Sequence, residues 1–315
     1  MKHITSKLLS LLLTLTMLMS MVPAAYATDT ESTGMDDVSI SGENVEPYEG
    51  ETETPVSGSA VATSEELATA IANAEDGATI TLSEGEFTLQ GSQSIYTGKS
   101  LTIKAADNAK VSFDMSAAVT LGGAKITFDG ITFDYKTNGN YIGLQHADTL
   151  VYNNCTINGM VFLYAASETF NGCTFNQTSA NAYNVWTYGA KNVAFNGCKF
   201  NCVGKSVLLY NEGANDGTNL TVSNTEFIAS APVEGKAAIE IDTHLMSGGS
   251  TVTVDDTTTA TGFAMGSNSD SPLWNDKTQT ADTNKNTTVI VAGETVFAPA
   301  TQSTAVAKVD NVEYS

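Results

Sequence analysis

One short phrase, repeated at intervals of about two dozen residues, constrains this chain more than any other feature. Thr127-Phe128-Asp129-Gly130-Ile131-Thr132-Phe133 is followed by Val151-Tyr152-Asn153-Asn154-Cys155-Thr156-Ile157, by Thr169-Phe170-Asn171-Gly172-Cys173-Thr174-Phe175 and by Ala194-Phe195-Asn196-Gly197-Cys198-Lys199-Phe200. Thr221-Val222-Ser223-Asn224-Thr225-Glu226-Phe227 continues the series, and Thr253-Val254-Asp255-Asp256-Thr257-Thr258 is a degenerate sixth copy. Each copy carries an apolar residue, then a two-residue turn of types that tolerate positive φ, then inward apolar residues one apart. The residue after the turn falls at 131, 155, 173, 198, 225 and 257, so the copies lie 24, 18, 25, 27 and 32 residues apart. Strands at this period, with no helices between them to cover a sheet, predict an all-β solenoid whose loops absorb the variable length.

The body opens differently. Thr63-Ser64-Glu65-Glu66 is a capping box, and Leu67, Ala70, Ile71 and Ala74 recur at helical spacing before Gly77. One short N-terminal helix is predicted there, then β-rich runs at Thr79–Leu82, Phe87–Leu89, Leu101–Ile103 and Val111–Phe113. The series Glu65-Glu66-Leu67, Ala70-Ile71, Asn73-Ala74, Gly77, Ile80, Leu82 and Gly85, with the Asn-Gly corners, resembles the right-handed parallel β-helix superfamily, the pectate-lyase-like fold. The resemblance spans roughly residues 61 to 260 and implies a right-handed β-helix with a short N-terminal capping helix. It specifies a fold and no particular enzyme family.

In register, Cys155, Cys173 and Cys198 share one column, and Asn153, Asn171 and Asn196 share another. Rungs about 4.8 Å apart carry like side chains in parallel, a poor geometry for the disulfide torsion. The thiols are expected to be free and buried. Cys198 and Cys202 form no CxxC pair and no His lies near, so no metal site and no cofactor is expected.

A second strand per rung runs through Ile142-Gly143-Leu144-Gln145-His146, Met160-Val161-Phe162-Leu163-Tyr164, Asn184-Val185-Trp186-Thr187-Tyr188, Ser206-Val207-Leu208-Leu209-Tyr210 and Ala238-Ile239-Glu240-Ile241-Asp242. Alternation sends Gly143, Val161, Val185, Val207 and Ile239 inward, with Gln145, Leu163, Thr187, Leu209 and Ile241. The outer face then collects Leu144, Phe162, Trp186, Leu208 and Glu240 in one column, and His146, Tyr164, Tyr188, Tyr210 and Asp242 in the next. The opposite parity would bury the acids and His146 without partners. Phe162, Tyr164, Trp186, Tyr188, Tyr210 and His146 are therefore the candidate ligand-binding residues, since exposed aromatic patches suit the apolar faces of sugars. The competing expectation is that a loop or the C-terminal segment covers them as a second small core.

Catalysis has weaker candidates. Glu240 and Asp242 project from one face about 6.6 Å apart, a separation that overlaps an inverting glycosidase pair. His146 and His244 have no nucleophile motif beside them. The resemblance implies an Arg or Lys beside Asp-bound calcium in lyases and an Arg in methylesterases, whereas this chain has 14 Lys and no Arg. Of the polygalacturonase motifs only Asp255-Asp256 has a counterpart, and that pair reads as a corner.

Lys2 and Lys7, an apolar run from Leu8 to Val22, and Ala25-Tyr26-Ala27 make residues 1–27 a signal peptide. This 15-residue run falls short of the roughly 20 residues that span a bilayer. Residues 28–59 hold nine acids and no Lys, which predicts a self-repelling disordered linker. The β-helix is assigned to 60–261, and 262–315 to a C-terminal polar loop and a capping hairpin around Ala292-Gly293-Glu294. A formal charge of −21 argues against nucleic acid as a partner, and the lack of Arg against anionic polymers. The expected location is secreted, extracellular or loosely attached to the cell surface, with no membrane span in the mature protein.

Three functions fit these observations. The first is non-catalytic recognition of an extracellular glycan or surface protein through the aromatic ladder. A polysaccharide hydrolase or lyase on the same face is the second, with Glu240 and Asp242 as acid and base. A passive adhesin or spacer is the third.

Overall fold

The computed structural model describes residues 60–135, 142–210, 217–243, 248–277 and 287–298, and the backbone of two short strands, Ala307–Val309 and Val312–Tyr314. The predicted signal peptide, the acidic linker and His244 lie outside the described residues.

Three sheets of ten, eight and seven strands carry the chain, which visits them in rotation. Lys125–Asp129 lies in the ten-stranded sheet, Ile131–Asp134 in the eight-stranded sheet and Ile142–Gln145 in the seven-stranded sheet. Thr149–Asn153 then returns to the first sheet, parallel to Lys125–Asp129 and residue for residue in register. Strands of successive turns stack in parallel throughout, a β-helix-like solenoid as the repeat predicts.

The two-residue corners explain the repeat. Asp129, Asn153, Asn171, Asn196 and Ser223 end strands of the ten-stranded sheet, and the residue after each has positive φ: Gly130 69°, Asn154 53°, Gly172 61°, Gly197 62° and Asn224 46°. Only Gly and Asn enter this left-handed region at little cost, so the chain can turn sharply between sheets there. Side-chain amides run along the stack: Asn171 Nδ2 donates to Asn153 Oδ1 and Asn196 Nδ2 to Asn171 Oδ1, both at 2.9 Å. A second ladder joins Asn158, Asn176 and Asn201 at 3.0 Å per step.

Inside, the alternation buries an aromatic on several successive strands, Phe128, Tyr152, Phe170 and Phe195 in the ten-stranded sheet and Phe175, Phe200 and Phe227 in the eight-stranded sheet, and stacks like on like. Tyr152 lies 4.4 Å from Phe170, and Phe175 4.3 Å from Phe200, with interplanar angles of 5° and 2°. Each such contact contributes about 0.5–1.5 kcal/mol beyond area burial. Cys155, Cys173, Cys198 and Cys202 are free and buried. Cys173 Sγ donates to Tyr152 O and Cys198 Sγ to Phe170 O, each at 3.3 Å, and Thr225 Oγ1 donates to Phe195 O one rung later. The column therefore takes a small residue with one weak donor, which a thiol or a hydroxyl satisfies.

The helix Ser64–Asn73 forms where the capping box predicts, with Thr63 Oγ1 accepting from Glu66 N and Leu67 and Ile71 buried. Lys99 Nζ donates to Ile71 O and Ala72 O at 2.6 and 2.7 Å, a cation on the helix C-terminus. At the other end, Thr287–Val291 and Glu294–Phe297 form an antiparallel hairpin around Ala292 and Gly293 on the edge of the ten-stranded sheet. No helix among the described residues is long and apolar enough to cross a membrane.

Candidate functional site

The seven-stranded sheet positions the candidate residues. Val161–Tyr164, Val185–Trp186, Val207–Tyr210, Ile239–Asp242 and Trp274–Asp276 are neighbours in that order. Val161, Val185, Val207 and Ile239 point into the core with Leu163, Thr187, Leu209 and Ile241. Register places Phe162 beside Trp186, Trp186 beside Leu208, Leu208 beside Glu240 and Glu240 beside Asn275 on the other face.

The first strand of the expected ladder departs from that plan. Ile142 pairs with Phe162 and Gln145 with Tyr164, with an irregularity between, so Gln145 occupies the position expected for His146. Leu144, expected outside, is in the core beside Val119, and His146 is exposed at a corner with φ 58°. Gly143 lies within the irregular stretch, and a Cβ there would stand 2.5 Å from the Tyr135 hydroxyl. Only a residue without a side chain accommodates that ring, and the slip in register reverses the parity of Leu144 and Gln145.

Five aromatic residues remain together, all half-buried. Phe162 is stacked on Trp186 and on Tyr188, both at 4.9 Å, with interplanar angles of 25° and 12°. Tyr164 lies 5.1 Å from Tyr188, and Tyr210 lies 5.4 Å from Trp186 and 6.0 Å from Tyr188. Because the rings stack along the solenoid axis, much of their face area is used on one another. The cluster offers a partner ring edges and polar tips more than open platforms.

The acidic end of the same columns is closed over. Glu240 is fully buried and accepts from Ala237 N at 2.8 Å, Lys236 Nζ at 3.1 Å and Asn275 Nδ2 at 3.2 Å. Asp242 is 6% exposed and pairs with Lys277 Nζ at 2.6 Å. The outward projection read from the alternation holds, but the exposure expected for this pair does not. Each carboxylate is held by a lysine, leaving little of either to approach a substrate and a water.

Sequence reasoning missed several groups. Tyr183 packs edge-on against Trp186 at 6.1 Å with Lys205 Nζ 5.8 Å from its ring centroid. Burial pushes its phenol up, and the charges of Glu240 and Asp242 add to the shift. Glu168 lies inside the solenoid, 2% exposed, in register with Leu150 and Val193. Its carboxylate accepts from Ala165 N at 3.0 Å, from Tyr164 N and from Tyr152 Oη. Burial pushes it up to about 8, those hydrogen bonds acting in the opposite direction. Alternation could have found it, since Glu168 precedes the inward Phe170 by two.

Among the described residues no group of three or more His, Cys, Asp or Glu could hold a metal ion. No family, no curated protein and no solved structure matches the chain.

Proposed function

We propose that this chain is a secreted, non-catalytic recognition protein. Its body would be a right-handed parallel β-helix of the pectate-lyase-like kind, capped by the helix Ser64–Asn73 and by the hairpin ending at Phe297. The cluster of Phe162, Tyr164, Trp186, Tyr188 and Tyr210 binds a neutral glycan or a surface protein. The observation that carries this reading is the contrast along one outer face: half-open aromatic rings at one end and lysine-paired acids at the other. Tyrosine tips and ring edges suit hydroxyl-rich or mixed surfaces, and the lack of Arg disfavours anionic ones. His146 falls outside this surface because the bulge removes it from the column. No observation favours acid and base chemistry by Glu240 and Asp242.

A neutral-glycan array probed with the purified protein, run beside a reducing-sugar release assay, tests the reading. Binding without release, lost in Trp186→Ala, is the expected result. Release of sugar that depends on Glu240 would replace recognition with catalysis, and binding that survives Trp186→Ala would move the site elsewhere.

A further inference from the structure

Beside the aromatic cluster, on the strand that carries Trp186 and on the next rung, three buried polar atoms have no partner among the described residues. Asn184 N donates to Ser206 O at 2.8 Å, and Val185 pairs with Val207, so residues 184 and 206 sit side by side on adjacent rungs. Both are fully buried. Asn184 Nδ2 donates to Asn201 O at 3.2 Å, which fixes the amide and leaves Oδ1 as an acceptor. Asn184 Oδ1, Ser206 Oγ and, two residues further along, Trp186 Nε1 are buried with no hydrogen-bond partner among the described residues. Alternation puts residues 184 and 186 on one side of the strand, with 206 one rung away, at Cα spacings of about 5 to 7 Å.

The neighbouring rungs show what this position normally holds. Met160 precedes Val161 and Ala238 precedes Ile239, so the same column reads Met160, Asn184, Ser206, Ala238. Two polar residues interrupt an apolar run, and no described residue pairs Asn184 Oδ1 or Ser206 Oγ. The segment leading into Asn184 is itself pinned, because Gln177 Nε2 donates to Tyr183 O and Ser179 N donates to Gln177 Oε1. Left dry, three orphaned groups would each carry the full desolvation penalty, whereas the apolar Met160 and Ala238 fill the adjacent positions without it. An acceptor, a donor and a hydroxyl that can do either are together the complement of a water molecule, which takes two to four such partners.

We propose that Asn184, Ser206 and Trp186 form a buried hydration site beside the aromatic cluster, occupied by ordered water that orients the Trp186 ring. The site needs no glycan, so it can stand or fall separately from the recognition reading.

Ser206→Ala tests it, since alanine already fits this column at residue 238. If the hydroxyl holds water, its removal strips a partner from that water, and the melting temperature falls by about 2 to 4 °C. If the site is dry, the variant sheds an unsatisfied hydroxyl and melts at or above the parent temperature, which would overturn the proposal. A crystal structure at a resolution that orders core waters provides a second measurement on the unaltered protein. Density within hydrogen-bond distance of Asn184 Oδ1 and Ser206 Oγ is the expected result, and an empty site would overturn the proposal equally.

Discussion

The two ends of one outer face differ more than their sequence pattern does. Phe162 and Trp186 continue directly into Leu208 and Glu240 by register, yet the first two are half-open and the last two are buried. The strand period sets which face a side chain takes. Exposure on that face is set by what flanks it, and here Lys236 and Lys277 outside the strands, with Asn275 on the last strand of the sheet, close over the acidic end. A carboxylate buried in this way depends on its partners, whereas a half-open ring does not.

That contrast predicts unequal costs. Glu240→Ala leaves the Lys236 ammonium and the Asn275 amide facing an emptied buried position, and should destabilise the fold by about 3–5 kcal/mol. Denaturant unfolding measures it, and a loss under about 1 kcal/mol would mean that the acidic end is open to water after all.

Glu168 sharpens the comparison from the inside, as a buried acid whose described partners are two backbone N–H groups and a phenol and include no lysine. Its folded value of about 8 lies above the ordinary carboxylate value of 4.5. Between those values the folded protein keeps a proton that the unfolded chain has lost. This contribution is therefore fully present below pH about 4.5 and disappears as pH rises through about 8. Glu168→Gln should flatten that part of the pH profile of unfolding free energy. A parent profile already flat between pH 5 and 9 would contradict the buried placement. Tyr152 faces the carboxylate from the preceding strand, Tyr135 interacts with it from the segment before that, and Cys155 and Cys173 border Tyr152.

Trp186→Ala should have the smallest energetic effect, about 1–2 kcal/mol, because a half-buried ring leaves an open recess and no sealed cavity. A loss equal to that of Glu240→Ala would make the cluster a second core, and the contrast between the two ends would vanish.

What was legible in the sequence came from period and chirality. The Asn-Gly corners, the inward aromatics, the free thiol column and the parity of Phe162, Trp186, Leu208 and Glu240 all derive from side chains alternating along repeated strands. The bulge at Gly143 was not legible, because it depends on the Tyr135 hydroxyl approaching from another segment. Nor was the burial of Glu240, whose partners Lys236 and Asn275 lie in loop and strand segments that break the repeat. Glu168 was readable by alternation alone, although an acid at an inward position runs against the apolar pattern by which a core is recognised.

The parity of the seven-stranded sheet underlies the proposed recognition surface, and hydroxyl-radical footprinting read by mass spectrometry tests it most directly. Oxidation should appear on Tyr164, Trp186, Tyr188 and Tyr210, while Tyr152, Phe170 and Phe175 in the core stay unmodified until the protein unfolds. Protection of the four outer rings to the same degree as the core would contradict the account, because the aromatic columns would then face inward or lie wholly covered.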